Sequence, residues 1–60
     1  MSTVYNPEAE VVAQIERLEL EARNLRRKID RVTSDDDRRV LNKQLQEIAE
    51  EIEVLRSRLP

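Results

Sequence analysis

Two runs of apolar residues constrain this chain more than anything else in it. Val11, Ile15, Leu18, Ala22, Leu25, Ile29 and Val32 follow one another at spacings that alternate four and three, and Leu41, Leu45, Ile48, Ile52, Leu55 and Leu59 repeat the alternation. A mean period of about 3.5 residues is the seam of a coiled coil, because it keeps one stripe of an α-helix turned toward a neighbouring helix. A strand would need a period of two, which neither run has.

The gap between the runs decides the topology. In one continuous helix the seam position would return seven residues after Val32, at Arg39, yet the seam resumes at Leu41, two residues late. Coiled coils absorb insertions of three or four residues within a helix, so this break predicts a reversal of the chain. The expected fold is all-α: an antiparallel helical hairpin, or two-helix coiled coil, over residues 7–60, behind a flexible N-terminal arm of residues 1–6. Helix 1 is expected over about 7–31, the bend over 32–34 and helix 2 over about 35–58. Folding back in one register sets Ile29 by Leu41, Leu25 by Leu45, Ala22 by Ile48, Leu18 by Ile52, Ile15 by Leu55 and Val11 by Leu59. Asn6-Pro7-Glu8 reads as a cap, a first helical proline and an acidic first turn.

A chain of 60 residues with no cysteine and no histidine lacks disulfides and the usual zinc ligands. Chains this short bury only about 60% of their extended surface, so oligomerisation or docking is the expected source of stability. The only candidate nucleophiles are Tyr5 and the hydroxyls of Ser2, Thr3, Thr33, Ser34 and Ser57, with no base positioned to activate them. No enzyme activity, cofactor or metal is expected. No apolar run approaches the ~20 residues of a membrane span, and MSTVYNP has neither a basic nor an apolar stretch, so a cytoplasmic location is expected.

The run Asp35, Asp36, Asp37 follows Thr33 and Ser34, either of which can cap helix 2. Carboxylates in a first turn complement the positive end of the helix dipole, each contributing about 0.3 to 1 kcal/mol. Adjacent helical residues point about 100° apart, so the three cannot converge on one cation. Exposed at a bend, they could also form a docking tip. This acidic tip resembles those of transcription factors that insert a helical hairpin into the secondary channel of RNA polymerase, which implies carboxylates presented near its catalytic magnesium.

Charge is unevenly spread. Residues 23–43 carry eight basic and four acidic groups, while residues 1–22 carry one and five, and residues 44–60 two and four. The folded hairpin is therefore basic near its bend and acidic at its open end. Arg23, Arg27, Arg31 and Arg39 are the candidates for contact with nucleic-acid phosphates, although no aromatic residue lies among them to stack on bases.

Two helices cover only one side of each seam, so Ile15, Leu18, Ala22, Leu45, Ile48 and Ile52 are the strongest candidates for a self-association or partner interface within the twelve paired seam residues, Val32 being the unpaired thirteenth. Off the seam, Leu20 and Val54 are candidate further contacts, and Tyr5 could anchor the arm. Two hairpins packed antiparallel would bury both open strips and set each basic end on an acidic one, giving a four-helix bundle. This layout resembles the Rop family of small plasmid-control proteins over roughly residues 7–58, in the two helices and the acidic bend. The resemblance implies an antiparallel homodimer that binds RNA loop pairs. The leading expectation is a noncatalytic interaction module whose partner is itself or a helical protein of a larger assembly. An RNA-binding regulator is the alternative.

Overall fold

The computed structural model describes residues 6–60; the arm reading and the Tyr5 anchor fall on Met1–Tyr5, outside the described residues. The first described residue, Asn6, is extended (φ −119°, ψ 99°), and its Oδ1 accepts hydrogen bonds from the amides of Glu8 (3.1 Å) and Ala9 (3.3 Å). Those amides have no carbonyl to reach inside the helix, so the cap satisfies them. Pro7 opens α1, Pro7–Arg31, at the position where its missing N–H costs nothing. Glu8 and Glu10 stand in the first turn and Lys28 and Arg31 in the last, each sign matched to its end of the helix dipole.

The helix stops at Val32, which turns extended (φ −74°, ψ 144°) while its amide still donates to the Lys28 carbonyl at 3.0 Å. Ser34 is extended as well (φ −80°, ψ 129°), and its Oγ accepts from the Asp37 amide at 3.4 Å, which makes it the cap of α2, Asp35–Ser57. Arg38 reaches back over this link, its Nη2 donating to the Val32 carbonyl at 2.9 Å and its Nη1 lying 3.6 Å from Asp35 Oδ1. The reversal needs no glycine, since no described residue has a positive φ. At its far end α2 tightens: the amides of Arg58 and Leu59 donate to carbonyls three residues back, and Ser57 Oγ donates to the Val54 carbonyl at 2.6 Å.

The two helices pack against each other as a hairpin of 53 × 23 × 12 Å, a single layer of helices. Ile15, Ala22, Ile52 and Leu55 are buried. Val11, Leu18, Leu25, Ile29, Val32, Leu41, Leu45, Ile48 and Leu59 are half-buried, and every other described residue is exposed. The heptad seams thus account for all the burial among the described residues. Around the core of Ile15, Ile52 and Leu55 pack Val11, Leu18, Ile48 and Leu59. Among the described residues one ion pair ties the helices together, Arg56 Nη2 to Glu19 Oε2 at 3.5 Å, with both side chains about half exposed. Its contribution is below about 1 kcal/mol, so it marks the register more than it stabilises the fold. Among the described residues no helix is long and apolar enough to cross a membrane.

Candidate interaction surface

A single layer of two helices has two faces, and heptad geometry assigns the seam residues between them. The stripe of Val11, Leu18, Leu25 and Val32 on α1, with Leu41, Ile48 and Leu55 on α2, borders one face; Ile15, Ala22 and Ile29, with Leu45, Ile52 and Leu59, borders the other. The first is the broad face. Its main depression, about 450 Å³, is floored by Leu25 and Ile48 and rimmed by Glu21, Lys28, Glu47 and Glu51. A smaller one of about 190 Å³ continues it toward the open end, over Leu18 and Leu55 and beside Arg17.

The second face is narrower and better closed. Its depression of about 250 Å³ has Ala22, Ala49 and Ile52 on the floor and Glu19, Arg23, Arg26, Glu53 and Arg56 on the rim. Arg56 lies 3.5 Å from Glu19 and 3.9 Å from Glu53, so it neutralises part of that rim. On that side Ile15, Ala22 and Ile52 are buried and Ile29, Leu45 and Leu59 half-buried, whereas on the broad face Leu55 is buried and the other six seam residues are half-buried. The hairpin therefore leaves more of its apolar surface in water on the broad side.

Electrostatics sharpens the difference. Glu21, Glu47 and Glu51 crowd the middle of the broad face against Lys28, and none of the three glutamates is in an ion pair among the described residues. On the broad-face side of α2, one heptad either way from Glu47, stand Val40 and Val54, 57% and 53% exposed. Those two valines are apolar surface that the fold itself does not use.

The candidate nucleic-acid residues are not gathered on one face. Arg23 rims the narrow depression. Arg31, a heptad beyond Asn24, falls on the broad side, and Arg27 lies between them on the outer ridge of α1. Arg39 sits two heptads before Glu53, on the narrow side of α2. All four are exposed, and none is in an ion pair among the described residues. The candidate tip, Asp35, Asp36 and Asp37, is exposed at the start of α2, with Asp35 held by Arg38 and the Asp37 amide by Ser34. Among the described residues no three acidic side chains are grouped to share a cation.

The apolar seam does not by itself point to the pair between the helices, Glu19 with Arg56, which stands on the flank beside it. The signal was present, because Glu19 and Arg56 occupy equivalent heptad positions next to Ile15 and Ile52. Compared with protein-family models, with curated proteins and with solved structures, the chain finds no match.

Proposed function

We propose that this chain is a noncatalytic protein–protein interaction module, a helical hairpin that self-associates into an antiparallel four-helix bundle. The observation that carries the reading is the half-covered seam: four residues are buried, and Leu18, Leu25 and Ile48 lie half exposed along one open groove. Burial of apolar surface contributes about 25 cal/mol per Å², so a second layer of helices over that groove adds the stability that one layer lacks. The charge distribution supports packing with the two bends at opposite ends, since the segment around the bend is net basic and both flanking segments are net acidic.

Sedimentation equilibrium tests this directly. The expected result is a mass twice that of the chain across the micromolar range, with Ile48→Asp shifting the protein to an unfolded monomer. A well-folded monomer of the unaltered chain overturns the proposal. Nucleic acid is the rival occupant, and RNA binding at low ionic strength that falls steeply with salt and with Arg27→Glu would favour it instead.

A further inference from the structure

We infer that the second copy seats on the broad face, with α1 lying antiparallel on α1 of its partner about a two-fold axis beside residue 19. The inference rests on the self-association proposed above and adds which surface carries it. Along the broad-face edge of α1 the polar residues run Glu10, Gln14, Arg17, Glu21, Asn24, Lys28; the last five border the depressions, and Glu10 stands one heptad before Arg17. Read backwards against itself, this edge is its own complement. Glu10 meets Lys28 of the partner subunit, Gln14 meets the partner's Asn24, and Arg17 meets the partner's Glu21.

A two-fold axis that reverses the helices and keeps the faces together places α1 over α1 and α2 over α2. Glu21 and Glu51 border both depressions, and Lys28 shares the larger with Gln44, so residue 19 of α1 is level with the neighbourhood of Val54 on α2. The axis then brings the two Val54 side chains together, burying valines that are 53% exposed in the lone hairpin. It also carries the partner's Arg58 toward Glu51, as the partner's Arg17 goes to Glu21. The crowded glutamates of the broad face thereby gain cations that the single hairpin does not supply. The narrow face offers less, because Ala22 and Ile52 are already covered and Arg56 is already paired.

Charge exchange tests the seating. The variant Arg17→Glu with Lys28→Glu makes the four charged α1 pairs of the dimer like-charged, and so does the variant Glu10→Lys with Glu21→Arg. Each alone should dimerise at least about tenfold more weakly than the unaltered chain, while an equimolar mixture should recover a heterodimer. Arg23→Glu with Arg26→Glu, on the narrow face, should leave the dimer intact. Circular dichroism at high protein concentration checks that each variant stays helical, and Val54→Cys gives a readout that needs no charge change. The chain has no native cysteine, so Val54→Cys should oxidise to a covalent dimer and Leu20→Cys, on the outer ridge of α1, should not. A dimer that ignores the broad-face exchanges but is lost with the narrow-face pair overturns this seating and leaves self-association standing. A mixture no tighter than its components, or equal cross-linking through both cysteines, also overturns it. A monomeric unaltered chain overturns both.

Discussion

The open-end half and the bend half of the hairpin are built from the same residue types at the same spacing, yet they differ in burial. Ile15, Ala22, Ile52 and Leu55, which are buried, lie from the middle toward the open end. Near the bend, Leu25, Ile29, Val32, Leu41 and Leu45 are all half exposed, although the chain itself holds the helices together there. Covalent proximity is therefore not what buries a side chain. The open half has neighbours above and below each core residue, with Val11, Leu18, Ile48 and Leu59 packed around Ile15, Ile52 and Leu55. The bend half relies on polar ties: the Ser34 cap, the Arg38 bond to the Val32 carbonyl and the Asp35–Arg38 pair.

The largest break in this comparison comes from the core. Ile52→Ala should cost about 2 to 4 kcal/mol, because it deletes buried methylenes and leaves a cavity. Leu45→Ala, at the half-buried end, should cost less than half as much, measured by urea denaturation at one fixed protein concentration. Equal losses would show that the two halves are equally packed in solution. Next in size is the joint change of Asp35, Asp36 and Asp37 to Asn, expected to lower stability by about 1 to 2 kcal/mol through the helix dipole. If that variant stays folded but loses its partner, the aspartates act as a contact and not only as the start of α2. Ser34→Ala should cost about 1 kcal/mol, while Ser34→Gly should cost only a few tenths. The smallest effect belongs to Glu19→Gln, below about 1 kcal/mol and absent at high salt, since Glu19 and Arg56 are both half in water.

The hairpin was legible because its signal is redundant: thirteen apolar positions from Val11 to Leu59 agree on one period, and the two-residue phase break admits few explanations. The choice between Thr33 and Ser34 as cap was not legible. Both can accept a hydrogen bond, and only the backbone geometry places Ser34 Oγ within reach of the Asp37 amide. The uneven burial was equally hidden, because a heptad pattern says which stripe faces inward and treats every layer alike. The difference between the faces escaped for a related reason. Leu25 and Ala22 are both seam residues in the pattern, and only packing reveals that Leu25 stays half-buried on the floor of the wider groove while Ala22 is buried.

The glycine-free link has a consequence for how this chain can assemble. Val32 and Ser34 hold extended backbone that any residue adopts, so no steric lock prevents the link from becoming helical. In a straightened chain the two-residue phase break would turn the seams about 200° apart, toward opposite sides of one long rod. Each seam would then need its own neighbour, and association would propagate from rod to rod without closing. By folding the seams onto each other, the turn at residues 32–34 gives each seam its neighbour within one chain, which is the condition for the dimer proposed above to close at two copies.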